Sequence, residues 1–208
     1  GVVKRVNLMA YRTRRTGGLY AVTLDEGDEL VSVRETDGEQ KILIATHDGM
    51  AVVFDETDVR AMGRTAVGVR GIKLREGDYV VGAARAQEGK EVLTITEKGY
   101  GKRTPIEEYI RSSGEPQHRG GLGIKGYQIT EKTGKAAGVQ LVDDDDDIMI
   151  ISDDGTIIRM AAGDVNRYSR TAQGVRVMRV SEGNKVISLA RVPRENEEET
   201  ADQEISHE

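Results

Sequence analysis

Basic side chains recur at equivalent points of a repeating pattern, and their spacing indicates what chemistry this chain could do. A seven-residue phrase begins at Gly18, Gly68, Gly123 and Gly174. The second and fifth positions after that glycine hold Arg70, Lys73, Lys125, Arg176 and Arg179. A second series lies three or four residues after a different glycine and comprises Lys4, Arg5, Lys102, Arg103 and Arg159. Regularly spaced cations neutralise the phosphates of a polyanion, which predicts binding that depends on salt rather than on base sequence.

Catalytic chemistry has little support in the same sequence. There is no cysteine, only three histidines, and no nucleophile, base and orienting residue at a telling spacing. The acids at 143–147 could form a divalent-cation site, but five consecutive acids at the start of a strand are more often a solvated charge run. We therefore expect no catalytic residue, metal or cofactor in this segment, and an enzyme or small-ligand site is the weaker alternative.

The distribution of charge changes the meaning of the net charge of −6. Taken alone, that value argues against a nucleic-acid partner. One arginine and seven acids at 193–208 carry all of it, so residues 1–192 are electroneutral. Within them the charged groups largely alternate by segment, with residues 1–18 at +5 and residues 126–158 at −6. The tail at 193–208 has too few apolar residues to order and is predicted to be disordered.

The elements that position these cations are β-hairpins. Apolar runs at 41–54, 91–104 and 147–160 each contain a polar turn ending in Gly49, Gly99 or Gly155, which predicts a tight turn with positive φ. Residues 1–6 match the second half of this unit, with Gly1 as the turn glycine. A further apolar run closes each unit, at 30–33, 80–84, 136–142 and 186–192. A period near fifty residues predicts an all-β, propeller-like array of four-stranded blades.

The seven-residue phrase contains a predicted β-bulge. Apolar residues fall one, four and six positions after the glycine in all four copies, so simple alternation fails. A bulge at Ala21, Gly71, Gly126 and Val177 would turn all three inward and the second and fifth positions outward. The cations could merely decorate a solvated rim, but their repetition favours a cationic belt for a long, curved polyanion. Duplex DNA is favoured over RNA because only eight residues are aromatic.

A glycine-rich box carries the first family resemblance. Residues 117–123, Gln-His-Arg-Gly-Gly-Leu-Gly, match five of seven positions of the box typical of the C-terminal domain of DNA gyrase A, with His118 and Leu122 in place of basic residues. Glycines let backbone amides approach phosphates, although the segment could also be only a flexible loop. Residues 60–81, 97–109, 142–159 and 170–192 also resemble the final blades of that domain.

The resemblance implies a six-bladed β-pinwheel that bends duplex DNA around a basic perimeter. Residues 1–192 are assigned to the pinwheel, with a partial blade at 1–27, blades at about 28–77, 78–134 and 135–192, and strand exchange left open. Negative supercoiling would belong to the full enzyme, a heterotetramer of gyrase A and an ATPase subunit. Its Mg²⁺, ATP and catalytic tyrosine would lie outside this chain, so none of the seven tyrosines here is assigned that role.

The remaining expectations concern partners and location. Double-stranded DNA and the rest of the enzyme are the expected partners, with no membrane, in the bacterial cytoplasm, and the segment itself could be monomeric. The C-terminal domain of the equivalent topoisomerase IV subunit, which would serve decatenation, and a protein-interaction propeller remain alternatives. The predicted DNA-binding residues are Lys4, Arg5, Arg12, Arg14, Arg15, Arg64, Arg70, Lys73, Lys102, Arg103, Gln117, His118, Arg119, Gly120, Gly121, Gly123, Lys125, Arg159, Arg167, Arg170, Arg176 and Arg179.

Overall fold

The computed structural model describes residues 1–14, 16–87, 89–110 and 113–192, and in them the secondary structure is β-strand with short 3-10 helices. The strands are β1 (Val2–Val3), β2 (Lys41–Thr46), β3 (Met50–Asp55), β4 (Val69–Arg70), β5 (Val80–Ala86), β6 (Glu91–Thr96), β7 (Tyr100–Pro105), β8 (Ile124–Lys125), β9 (Ala136–Val142), β10 (Asp147–Ser152), β11 (Ile157–Ala161), β12 (Val175–Arg176) and β13 (Val186–Val192). The 3-10 helices are Leu8–Tyr11, Glu56–Asp58, Ile106–Tyr109 and Ala162–Asp164. None of the helices in these ranges is long and apolar enough to span a bilayer.

The three predicted hairpins are confirmed. Strands β2 and β3, β6 and β7, and β10 and β11 pair as antiparallel neighbours. Their turn glycines Gly49, Gly99 and Gly155 have φ of 78°, 75° and 83°, in the left-handed region that other residues rarely adopt. The local turn chemistry of the sequence therefore places all three hairpins correctly.

Each complete sheet takes strands from two successive repeats. One four-stranded sheet has the order β5-β2-β3-β8, the next β12-β7-β6-β9, while β11-β10-β13 has three strands and β1-β4 two. The short outermost strand of a sheet comes from the repeat after its hairpin, as when β8 pairs with β3. The sheets therefore cross the predicted blade boundaries at 77 and 134.

The sheets have an inner and an outer edge. Strands β5, β9 and β13, which we call the inner strands, lie beside one another. Glycines permit this approach, since a Cβ at Gly82 would lie 3.0 Å from the carbonyl oxygen of Val139, and one at Gly138 would lie 2.7 Å from the Cβ of Leu189. Residues of the three inner strands, together with Val31, Ser32 and Arg34, line a pocket of about 190 Å³. Strands β4, β8 and β12 occupy the opposite edge of their sheets, and we call them the rim strands.

The hydrophobic core lies between neighbouring sheets. Leu43 and Val53 of one hairpin pack in the same cluster as Val92 of the next, whereas Ile44 and Phe54 on the opposite face pack toward the preceding repeat. A sheet covered on both faces needs apolar residues at consecutive positions, which explains the unbroken runs in β2 and β3. Both faces of the β5-β2-β3-β8 sheet are thus used for packing.

The first repeat differs from the others. Residues 17–39 form no strand, and they expose Tyr20 (89%), Leu30 (58%) and Val33 (70%). In the later repeats the corresponding phrase forms a short strand that pairs with the second strand of the hairpin one repeat earlier, as β8 does with β3. The phrase at 18–24 has no such strand pairing among the described residues.

Candidate nucleic-acid interface

The predicted β-bulge is present next to each rim strand. After β8, the amides of Gly126 and Tyr127 both donate to the carbonyl oxygen of the turn glycine Gly49, at 2.8 and 3.1 Å. Two successive donors opposite one acceptor are the signature of a bulge. The same pair of bonds runs from Gly71 and Ile72 to Gly1, and from Val177 and Met178 to Gly99.

The bulge turns basic side chains away from the core. Arg70, Lys125 and Arg176, each two residues after the phrase glycine, are exposed on three consecutive rim strands. Lys73 and Arg179, five residues after that glycine, are also exposed. The residue four positions after the glycine is buried in the same three repeats, as Ile72, Tyr127 and Met178. The structure therefore brings these five cations onto one perimeter, which we call the rim cations.

One of the rim cations is held by an aromatic side chain. The guanidinium of Arg176 donates to the hydroxyl of Tyr100 at 2.9 Å and lies 5.3 Å from the centre of its ring. Tyr100 itself is only 6% exposed. A buried ring with its hydroxyl toward the surface can thus limit the rotamers of Arg176 and leave its charge accessible.

The box at 117–123 docks on the preceding repeat. The amide of Gln117 donates to the carbonyl oxygen of Val53 at 2.7 Å, and that of Gly120 to Gly71 at 2.6 Å. Gly120 has φ of 86°, so this turn requires a residue without a side chain. His118 is 83% exposed and its Nδ1 lies 3.4 Å from a carboxylate oxygen of Asp58, while Leu122 is 43% exposed. The box is therefore an ordered part of the perimeter.

Lys102 was predicted to be at the binding surface, and the structure buries it. The side chain is fully buried, and its ammonium group lies 5.0 Å from the centre of the Tyr127 ring. It donates to the carbonyl oxygen of Ser169 at 2.7 Å and also to that of Arg170. Burial lowers the pKa of Lys102 to about 8. The half-buried Lys4, at the equivalent position, donates to the carbonyl oxygens of Arg64 and Ala21.

Arg103 was also predicted to be at that surface and is equally inaccessible. Its side chain is 5% exposed and pairs with Glu91 at 2.7 Å and with Asp144. It further donates to the carbonyl oxygens of Val165 at 2.7 Å and Gly163 at 3.0 Å. Glu91 belongs to the same hairpin, but the two carbonyl acceptors lie 62 and 60 residues away, so the hairpin sequence could not show that this position is covered.

Two further predicted residues stand in ion pairs at the surface. Arg159 is 59% exposed and pairs with Asp147 at 2.8 Å, and Arg167 is 58% exposed and pairs with Glu91 at 2.5 Å. Arg5 is half-buried and lies 3.4 Å from the buried carboxylate of Glu56. These three cations have carboxylate partners, whereas the rim cations form no ion pair with any residue that the structure describes.

The acidic run at 143–147 is a set of ion pairs rather than a solvated charge run. Asp143 pairs with Lys90 at 2.5 Å, and Asp146 with Arg191 at 2.6 Å. Asp144 contacts both Arg103 and Arg167, and those two arginines hold its pKa below the usual value. Within the described ranges, no group of three or more acidic, histidine or cysteine side chains could hold a metal ion.

An arginine lies four residues before each phrase glycine, a spacing that the prediction of the binding surface overlooked. These residues are Arg14, Arg64, Arg119 and Arg170. Three of them donate to the carbonyl oxygen two residues after the phrase glycine of the preceding repeat: Arg64 to Tyr20 at 3.2 Å, Arg119 to Arg70 at 3.0 Å, and Arg170 to Lys125. Aligning the four phrases by their glycines and extending them backwards would have revealed the pattern.

Comparison with known proteins agrees with this architecture. The family described as the DNA gyrase C-terminal domain, β-propeller, matches residues 1–37, 40–87, 90–143 and 146–193. The chain belongs to the DNA gyrase C-terminal domain family. The recognition made from the sequence and the predicted all-β pinwheel class are thereby confirmed.

Relatives of this gyrase domain include complete gyrase A proteins and solved domains. The DNA gyrase A protein of Staphylococcus aureus strain NCTC 8325 is 43% identical over 99% of the chain, which spans about a quarter (23%) of that protein. The C-terminal domain of a DNA topoisomerase IV superposes with a TM-score of 0.88 at 28% identity, over 100% of this chain and 64% of the other. The C-terminal domain of a DNA gyrase A superposes with a TM-score of 0.73 at 28% identity, over 84% of this chain and 58% of the other.

The remaining predicted site residues of the gyrase domain are Arg12, Arg14, Arg15, Gly121 and Gly123. Arg12 and Arg14 are exposed in the first repeat. Arg15 and the acidic tail at 193–208 lie outside the described residues. Gly121 accepts a hydrogen bond from the amide of Lys73 at 2.8 Å, and Gly123 has φ of 72° beside the carbonyl of Ala51. The two glycines therefore join the box to both neighbouring strands.

Proposed function

We propose that this domain binds duplex DNA along the rim strands and bends it around the perimeter. The observation that supports this most directly is the exposure of Arg70, Lys125 and Arg176 at the same position of three consecutive rim strands. Bending a duplex through tens of degrees costs several kcal/mol, so favourable contacts must be distributed along its path. A repeat that places a cation on each successive sheet provides such a distribution.

The acidic residues support the same path. Asp153 and Asp154 lie at the turn of the third hairpin and have no ion-pair partner among the described residues, whereas most of the acids at 143–147 are paired with lysine or arginine. A duplex at that turn would meet carboxylates, whereas one along the perimeter meets the five rim cations. Electrostatics therefore favours the outer edge.

The salt dependence of binding tests the number of contacts. If each of the five rim cations neutralises one phosphate, the logarithm of the association constant should fall against the logarithm of salt concentration with a slope of about −4.5. Contacts from His118 and Arg119 in the box would make the slope steeper. Lys102 and Arg103 should contribute nothing to it, because their side chains are buried.

Gel-shift titrations of linear duplexes of increasing length, at two salt concentrations, test the proposal. Bending around the perimeter predicts that affinity rises over tens of base pairs and falls steeply with salt. Arg70→Glu, Lys125→Glu and Arg176→Glu should each weaken binding, whereas the matched charge reversal Arg34→Glu, beside the inner strands, should not. Affinity that depends on neither length nor salt would exclude the proposal.

In the complete enzyme, we propose that the bent segment supports ATP-dependent negative supercoiling. The support is the 43% identity to a gyrase A protein. In this proposal the catalytic tyrosine, Mg²⁺ and ATP belong to other parts of the enzyme. The topoisomerase IV alternative is supported by a solved C-terminal domain with a TM-score of 0.88, but that domain is only 28% identical to this chain. Supercoiling and decatenation assays of the full enzyme, with and without this domain, separate the two. Loss of decatenation alone would favour topoisomerase IV.

A further inference from the structure

The arginines four residues before the phrase glycines connect neighbouring rim strands. Arg170 precedes β12, and its guanidinium donates to the carbonyl oxygen of Lys125 in β8, the rim strand of the neighbouring sheet. Its Nε donates to the carbonyl oxygen of Glu108 at 3.1 Å, in the 3-10 helix that follows β7 of its own sheet. A single planar guanidinium thus bridges main-chain atoms of two adjacent sheets.

The same bridge occurs one repeat earlier. Arg119 precedes β8, donates from a terminal nitrogen to the carbonyl oxygen of Arg70 in β4, and donates from Nε to that of Asp58 at 2.8 Å. Asp58 and Glu108 both belong to the 3-10 helix that follows the second hairpin strand. Two copies with identical atoms, acceptors and repeat positions indicate a common role within this chain, rather than an accidental surface contact.

The arginine loops are themselves fixed to the hairpins beneath them. Lys102 donates to the carbonyl oxygen of Arg170, and Lys4 to that of Arg64. In the hairpin beneath the Arg119 loop, Val52 occupies the position that Lys4 and Lys102 hold in the other two hairpins. The residue after Arg119 in that loop is Gly120, which has a positive φ. The box turn therefore replaces the lysine contact in that repeat, and each loop has one means of holding its arginine.

We propose that Arg119 and Arg170 are positioning residues that set the separation of neighbouring rim strands and thereby the curvature imposed on bound DNA. The step to DNA curvature rests on the proposed function, but the separation of the strands does not. Because the fork of an arginine has several donors in one plane, it fixes two acceptors relative to each other. A lysine keeps the charge, but all of its donors lie on one nitrogen, so it cannot reproduce the two donor positions that Nε and a terminal nitrogen of the guanidinium provide.

Spin-label distances in the absence of DNA test the structural step. The chain has no cysteine, so Glu131→Cys and Glu182→Cys introduce two unique labels at equivalent exposed positions after β8 and β12. Both Arg170→Gln and Arg170→Lys should broaden or shift the distance distribution between them. The same changes should leave the pair Glu76→Cys and Glu131→Cys unaltered. An unchanged distribution at 131 and 182 would overturn the proposal.

A reciprocal variant provides the matched control. Arg119→Gln should alter the distances between labels at 76 and 131 and leave those between 131 and 182 unaltered. The melting temperature alone would not show where the change occurs, since the loss of any stabilising contact lowers the melting temperature. Equal broadening of both pairs by either variant would indicate general loosening of the domain and would contradict the assignment.

DNA measurements on the 208-residue chain separate positioning from direct contact. With a duplex carrying fluorophores at both ends, Arg170→Lys and Arg170→Gln should both reduce bending and leave the salt slope unchanged. Lys125→Gln should reduce the magnitude of that slope by about 0.9, the value of one phosphate contact. If Arg170→Lys behaves as wild type while Arg170→Gln loses one contact from the slope, Arg170 binds phosphate directly and the proposal is wrong.

The two proposals fail in different ways. If the wild-type chain shows no salt-dependent binding of duplexes of any length, the proposed DNA function is excluded. The label distances would still decide whether the arginines set the separation of the rim strands. If binding is normal and bending unaffected by both Arg170 variants, only the positioning role is excluded.

Discussion

Replacing Arg103 with methionine should destabilise the domain strongly without weakening its phosphate contacts. The buried guanidinium of Arg103 lies 2.7 Å from the buried carboxylate of Glu91, and breaking a buried ion pair costs about 3–5 kcal/mol. Arg167 still lies 2.5 Å from Glu91, so the lower end of that range applies. The carbonyl of Val165 loses its donor, which adds about 1 kcal/mol. We expect a loss of about 4 kcal/mol in the free energy of unfolding.

For a chain of this length, 4 kcal/mol corresponds to a fall in Tm of about 8–16 °C. Urea unfolding followed by far-ultraviolet circular dichroism measures the loss, and the control is Arg159→Met. Arg159 occupies the equivalent hairpin position but is 59% exposed, so its replacement should cost less than about 1 kcal/mol. A stable Arg103→Met variant with a shallower salt slope for DNA would refute the reasoning and return Arg103 to the binding surface.

Three further predictions follow from local geometry. Gly123→Ala should cost several kcal/mol in urea unfolding, because φ is 72° and a Cβ would overlap the carbonyl of Ala51, whereas Gly77→Ala, with φ of 75° and open space, should cost about 1 kcal/mol. The lowered pKa of Lys102, about 8 against 10.5 when unfolded, means that the unfolded chain binds more protons between those values. The stability of wild type relative to Lys102→Met should therefore rise by up to about 3 kcal/mol as pH increases through that window, and urea titrations that show a fall would contradict it. Burial raises the pKa of Glu56, but its hydrogen bonds together lower it below the usual 4.5. The stabilisation by Glu56 should be present above pH 4.5 and lost as the pH falls through the lower pKa of the folded state. The free energies of unfolding of wild type and Glu56→Gln, measured in acid titrations, should therefore converge at low pH.

The predicted cations have four different environments in the structure. Rim cations such as Lys125 are exposed, Arg119 and Arg170 donate to main-chain carbonyls, Lys102 and Arg103 are buried between repeats, and Arg159 and Arg167 pair with carboxylates at the surface. Charge and repetition alone do not distinguish these environments. Mutagenesis that treats them alike would confuse loss of folding with loss of binding.

Several features of the domain could be predicted because they depend on local physics. Positive φ at Gly49, Gly99 and Gly155 and the alternation of apolar residues define the hairpins, since both act over a few residues. The apolar spacing after Gly123 required a bulge, and it placed Lys125 outward for the same reason. The period of the repeat then predicted the propeller-like class.

Only the tertiary structure decided which sheet each rim strand joins and which cations remain accessible. β8 pairs with a hairpin that begins more than eighty residues earlier, and Lys102 and Arg103 are covered by residues 163–170 of the next repeat. The charge of a side chain follows from its residue type, but its burial depends on distant segments that pack over it. The sequence by itself therefore determined the repeated cationic perimeter, and packing between repeats decided which of its charges face solvent.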